Sequence, residues 1–133
     1  MNSIKIEIPS ISENIRLVES FIDNVKDKYE LNDDIYGNMM IAVIESVNNA
    51  ILHGNGGDMN KNVSLSLQMD SDTVKVIVKD QGPGFNHHDL PDPTAPENLN
   101  KPSGRGIFLM RNLCDEVNFR NDGAEVEMCF YLN

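Results

Sequence analysis

Three groups of residues in this chain combine types and spacings suited to chemistry. Glu45, Asn49 and His53 recur at i, i+4 and i+8, so a helix through this segment places them on one stripe. A carboxylate there can accept a proton or orient water, and an amide oxygen is a hard ligand for Mg²⁺, an ion that keeps several waters and takes phosphate oxygens as well. A buried polar network tying the helix to a loop uses the same residues. The second group is Asp80-Gln81-Gly82-Pro83-Gly84-Phe85. An ionised Asp80 only accepts hydrogen bonds and suits the exocyclic amine of adenine, while the glycines let backbone approach a flat ring. A tight turn with glycine at positive φ has the same composition. The third is Ser103-Gly104-Arg105-Gly106-Ile107. Backbone N–H groups at a glycine-rich helix start form an anion nest, and Arg105 adds a fixed charge, which suits phosphate. A hinge before a helix is the plainer reading, and the pattern is neither a Walker A loop nor a dinucleotide fingerprint.

The elements that must position these groups are visible in the hydrophobic periodicity. Ile4, Ile6 and Ile8 alternate with Lys5 and Glu7, which predicts a half-buried strand over residues 3–9 closed by Pro9. Ser12 is placed to cap a helix from Glu13 to about Tyr29, with Ile15, Val18, Phe21, Ile22 and Val25 at helical spacing. Asn32, Asp33 and Asp34 suit the start of a second helix running to His53 and stopped by Gly54, Gly56 and Gly57. Apolar residues from Met39 to Leu52 occupy nearly its whole circumference, which predicts burial on most sides. Met39 and Met40 fit either the core or a dimer contact. Strands at Val63 to Met69 and Val74 to Lys79 form a hairpin around Asp70-Ser71-Asp72.

Residues 81–103 are rich in glycine and proline and read as a long loop that moves, with a lid around 86–103. A short helix from Ile107 and two strands, Glu116 to Arg120 and Glu125 to Leu132, turned at Asn121-Asp122-Gly123, complete the order. This order predicts one domain over residues 1–133, an α+β two-layer sandwich in which a mixed or antiparallel sheet carries helices on one face.

Composition narrows the function classes. A chain of 133 residues, 40% hydrophobic and 24% charged, is an ordinary globular domain. With 21 acidic against 11 basic residues its formal charge is −10, which disfavours nucleic acid as a partner. No apolar run approaches the ~18 residues of a membrane span, and no signal sequence is recognisable, so a cytoplasmic location is expected. Cys114 and Cys129 read as buried thiols, and His87-His88 as a solvated loop pair.

Taken in order, the segments resemble the three nucleotide-binding boxes of the GHKL (Bergerat) ATP-binding fold. Glu45 to Gly54 is similar to the N box, Asp80 to Gly84 to the G1 box, and Ser103 to Met110 to the G2 box. Within that superfamily the chain most resembles, over nearly its whole length, the small anti-sigma-factor serine kinases of bacteria. The resemblance implies ATP and Mg²⁺ as cofactors, with Glu45 as base or water-orienting carboxylate, Asn49 as Mg²⁺ ligand and Asp80 as adenine reader. Gly82 and Gly84 would floor the adenine, and Gly104, Arg105 and Gly106 would hold phosphates. Asn48, Asn49, His53, Phe85, Ser103 and Ile107 complete the implied ATP contacts.

The implied reaction moves the γ-phosphoryl group of ATP to a serine of a small antagonist (anti-anti-sigma) protein, and the implied partners are that protein, a sigma factor and a second copy of the chain. A nucleotide-dependent binding module without phosphotransfer is the alternative. The chain departs from the pattern at Glu19, where the sporulation member has a partner-contacting arginine, and at Gly123-Ala124-Glu125, where some relatives place a threonine.

Overall fold

A computed structural model describes residues 2–82 and 102–132. Five strands form one sheet: β1 (Asn2–Pro9), β2 (Asn62–Met69), β3 (Thr73–Lys79), β4 (Glu116–Arg120) and β5 (Glu125–Tyr131). Their spatial order is β1-β2-β3-β5-β4 and every neighbouring pair is antiparallel. Alternation decides the faces. Val63, Leu65, Leu67 and Met69, then Val74, Val76 and Val78, then Val126, Met128 and Phe130 are buried on one side. Three helices, α1 (Ile15–Tyr29), α2 (Asp33–Asn49) and α3 (Pro102–Leu113), complete the hydrophobic core with them. The expected two-layer α+β sandwich is the fold, with an antiparallel sheet.

α1 buries Val18, Phe21, Ile22 and Val25, one stripe at helical spacing. Ser12 does not cap it: Ser12–Asn14 is a separate 3₁₀ turn, Ile11 holds the position before that turn, and no side chain caps either element. α2 begins as expected, with the Asn32 side chain accepting from the Ile35 N–H at 2.8 Å and Asp33 and Asp34 in the first turn, where the helix dipole favours acids. Tyr36 donates to Asp23 at 2.5 Å and Lys26 pairs with Asp33 at 3.2 Å, joining α2 to α1.

Two expectations change. α2 is not buried on most sides, because only the stripe Met39, Ala42, Val43, Ser46 and Val47 is buried, while Ile41 is 49% and Leu52 52% exposed. Residue type around the circumference counted apolar positions, but a helix layered on one sheet has one inward face. Met39 therefore belongs to the core, and Met40 is half-buried against it. The third helix starts at Pro102, not at Ile107. Proline is favoured in a first helical turn, and anchoring by buried Ile107 and Met110 against α2 outweighs the helix-weakening glycines 104 and 106. The proposed lid lies outside the described residues from 86 to 101, as do Gly84, Phe85 and His87-His88.

Cys114 and Cys129 are buried and unbonded to each other, as expected. No helix among the described residues is long and apolar enough to cross a membrane.

Candidate functional site

α2 ends at Asn49 and the chain continues into a wide π turn, Ala50–Gly54. Glu45 and Asn49 lie one turn apart on α2, both half-buried, while exposed His53 lies within the wide turn. A turn closed by i→i+5 bonds breaks the 3.6-residue period, so the expected i, i+4, i+8 stripe keeps its regular helical spacing only for Glu45 and Asn49. Asn48 is half-buried on α2. The side-chain nitrogen of Asn49 is buried and has no hydrogen-bond partner among the described residues.

The wide turn ends against the turn that follows β3. A Cβ built on Gly54 would collide with the Asp80 carboxyl group, and one built on Gly82 would collide with the Gly54 carbonyl. Two glycines and one carboxylate therefore share a space that only hydrogen side chains permit. The Asp80 N–H donates to the Ala124 carbonyl at 2.9 Å, and its Oδ1 accepts from the Gly82 N–H at 2.8 Å. Burial pushes the Asp80 carboxyl above the ordinary aspartate value, opposed by the Gly82 N–H and the charge of Lys61.

Asn55, which composition alone marked only as part of a glycine-rich stop, organises this junction. It is 3% exposed and its polar groups are all engaged. The backbone N–H donates to Ala50 at 2.8 Å; Nδ2 donates to Ser10 Oγ at 2.8 Å and to the Asn62 carbonyl at 3.1 Å; Oδ1 accepts from the Gln81 N–H at 2.7 Å. Ser10 Oγ donates onward to the Lys61 carbonyl at 2.7 Å, and Gln81 Oε1 accepts from the Asn62 N–H at 2.6 Å. One side chain thus clamps the ends of α2, β1 and β3 and the start of β2. No spacing motif announces such a residue, since its partners are 7 to 45 positions away.

Residues 103–106, expected in a loop ahead of a helix, form the first turn of α3 instead. The N–H groups of a first turn have no intrahelical acceptors, so this backbone still favours an anion. Ile107 is buried in the core. α3 packs on α2, which puts this segment and the Glu45–Asn49 segment on adjoining helices.

The family model described as "Histidine kinase-like ATPase domain" matches residues 8–130. The chain belongs to that family. This histidine kinase-like ATPase domain is 31% identical to "Serine-protein kinase RsbW" of Bacillus subtilis over 98% of the chain and 86% of the relative. It is 30% identical to the protein of the same name from Bacillus licheniformis, with the same coverage, and 26% identical to that of Staphylococcus epidermidis over 97% of the chain and 86% of the relative.

The site residues suit the cofactors that membership in this family brings, ATP with its accompanying Mg²⁺. The Gly54–Asp80–Gly82 junction leaves backbone where side chains would stand, and the buried Asn49 side-chain nitrogen on α2 is a donor with no acceptor among the described residues, suited to a phosphate or ribose oxygen. Among the described residues no cluster of three His, Cys, Asp or Glu side chains could cage a metal ion. Mg²⁺ bound through one protein ligand plus waters and phosphate oxygens needs no such cage.

Proposed function

We propose that this chain is an ATP-dependent protein-serine kinase and anti-sigma factor, which phosphorylates a small antagonist protein and regulates transcription by partner switching. The observation that carries the reading is the junction of Gly54, Asp80 and Gly82, where the end of a polar-striped helix meets an acceptor-only carboxylate across bare backbone. Kinship with proteins named as serine-protein kinases supports the choice of reaction.

Asp80 accepts from the adenine amine and Gly82 and Gly84 floor the ring. Asn48, His53, Phe85, Ser103 and Ile107 complete the nucleotide contacts. Asn49 holds Mg²⁺ through its amide oxygen. The ion supplies charge neutralisation on the phosphates. The first turn of α3, with Gly104, Arg105 and Gly106, binds phosphate oxygens. Glu45 accepts the proton of the substrate serine as its Oγ bonds to the γ-phosphorus and the bond from that phosphorus to the ADP oxygen breaks. Such transfer depends on positioning and electrostatics more than on covalent help from the protein. The segment 86–103 acts as the ATP lid of a single domain spanning residues 1–133. The kinase works in the cytoplasm as a homodimer.

The test is a phosphotransfer assay with ATP, Mg²⁺ and a serine-bearing antagonist. Wild type transfers phosphate, while Glu45→Ala binds ATP and transfers little. ATP-dependent partner binding in which the partner never gains phosphate would replace the kinase by a binding module.

A further inference from the structure

Asn55–Gly56 is the one Asn-Gly pair in the sequence. This dipeptide has a reaction of its own. The glycine nitrogen attacks the asparagine Cγ, the bond from Cγ to Nδ2 breaks and ammonia leaves, and water then opens the cyclic succinimide. One water is consumed for each ammonia released. Attack of water at the side-chain carbonyl gives aspartate, and attack at the main-chain carbonyl gives isoaspartate. Glycine is the residue that hinders the first step least, because no Cβ shields its nitrogen. Gly56 is also exposed, and nothing lies within 4 Å of a Cβ built on it, so its side of the pair is open.

The Asn55 side opposes the reaction in two ways. Ring closure needs the Asn55 Cβ eclipsed with the Gly56 nitrogen about the Cα–C bond. Asn55 has φ of −92° and ψ of −3°, and a ψ near zero eclipses the Gly56 nitrogen with the nitrogen of Asn55 instead. Turning ψ to the reactive angle breaks the bonds from the Gly57 N–H to the Ile51 carbonyl at 2.7 Å and from the Asp58 N–H to the Asn55 carbonyl at 3.1 Å. The amide is pinned as well: Nδ2 donates to Ser10 and to Asn62, and Oδ1 accepts from the Gln81 N–H. At 3% exposure, Asn55 is also shielded from the water that completes the reaction.

We infer that Asn55 is a deamidation site held unreactive by the clamp it forms, so that opening of the clamp retires the nucleotide site irreversibly. The consequence for nucleotide rests on the reading proposed above. Aspartate places acceptor oxygens where Nδ2 donated, facing the Asn62 carbonyl and a Ser10 Oγ whose proton goes to the Lys61 carbonyl. Isoaspartate in addition lengthens the backbone within the segment that sets Gly54 against Asp80. Either product loses both donations and loosens the hold on the Asp80–Gly82 turn. Nucleotide, which needs that turn closed, holds the clamp shut and slows the reaction by mass action.

The full chain is aged in mildly alkaline buffer while folded, beside a sample unfolded in guanidinium, and peptide mass mapping with an isoaspartate assay follows residue 55. Asn55 is the first asparagine to react in the unfolded sample, and in the folded one it reacts at least about tenfold more slowly. A non-hydrolysable ATP analogue with Mg²⁺, at about 100 times its dissociation constant, slows the folded reaction about 100-fold further. Ser10→Ala removes one acceptor of Nδ2 and speeds it. The aged product, separated by its added negative charge, binds the analogue about tenfold or more weakly by calorimetry, as does Asn55→Asp, which carries one product from the start. Gly56→Ala, aged identically, keeps its asparagine and its affinity. An Asn55 that stays intact when unfolded, or reacts as fast folded as unfolded, overturns the inference. So does a deamidated chain that binds the analogue as fresh wild type does. Fresh wild type that binds no nucleotide overturns the proposed reading instead, while the kinetics at residue 55 still decide whether the clamp protects it.

Discussion

The Oδ1 atom of Asn55 accepts a 2.7 Å hydrogen bond from the Gln81 N–H, 26 residues further along the chain. The acceptor sits just beyond the wide turn that ends the α2 segment, and the donor sits in the turn after β3. Through this contact, the backbone beside Asp80 is held against the backbone beside Gly54.

Asn55→Ala leaves buried Ser10 Oγ and the part-buried Gln81 N–H and Asn62 carbonyl each short of one partner. Stability falls by about 2–4 kcal/mol, measured by urea denaturation. Nucleotide affinity falls about tenfold or more by calorimetry at a temperature where the variant is folded, because the Asp80–Gly82 turn is no longer anchored. Ser10→Ala loses the Oγ bonds to Asn55 and Lys61 but keeps the Asn55–Gln81 bond, and costs about 1–2 kcal/mol, with nucleotide affinity unchanged.

Gly54 and Gly56 separate space from conformation. Gly54→Ala drives a methyl group into the Asp80 carboxyl, so nucleotide binding is lost although the chain still folds. Gly56 has φ of 62° with nothing within 4 Å of a built Cβ, so Gly56→Ala costs about 1 kcal/mol in backbone strain and leaves nucleotide affinity intact. Thermal melts beside nucleotide titrations distinguish the two, and equal loss of binding in both would remove the specific role given to Gly54.

Asp80 is held at a cost to the ligand-free fold. Its folded-state carboxyl lies above the ordinary aspartate value because of burial, so the folded state binds the proton more tightly than the unfolded chain does. Stability contributed by this group declines as pH rises from the unfolded value through the raised folded value, and stays low above it. Asp80→Asn therefore raises the melting temperature at neutral pH by roughly 1–3 °C and abolishes that arm of the pH profile, while adenine binding weakens because an amide presents N–H groups to the adenine amine. Subtracting the variant's pH profile from that of wild type isolates the effect, and a flat difference would contradict it.

Cys114 is buried, and desolvation, with the nearby Asp115 and Cys129, pushes its thiol up to about 12. The Cys129 thiol is also shifted upward, chiefly by burial. A thiol reagent at pH 8 labels neither residue in the native chain at an appreciable rate, and labels both after unfolding in guanidinium. Rapid labelling of the folded protein would contradict the burial.

Period-two runs such as Ile4, Ile6 and Ile8 marked the strands, because a half-buried strand has no other way to keep one face dry. The stripe through Val18, Phe21, Ile22 and Val25 marked α1 for the equivalent reason at period 3.6. Glu45, Asn49 and Asp80 stood out because their chemistry is unusual beside apolar helix residues or at a strand end. The start of α3 did not stand out, since Gly104 and Gly106 oppose a helix locally and only packing against α2 overrides them. Asn55 was equally hidden among glycines.

The sequence by itself determined the element order, a two-layer α+β fold and the polar residues on α2 and after β3, all of which depend on residues close together along the chain. Only the tertiary structure decided that α2 has one buried face, that Gly54, Asp80 and Gly82 share one space, and that Asn55 joins them. Those outcomes are close approaches between distant segments, and the fit of their atoms exists only once the sheet and helices have packed.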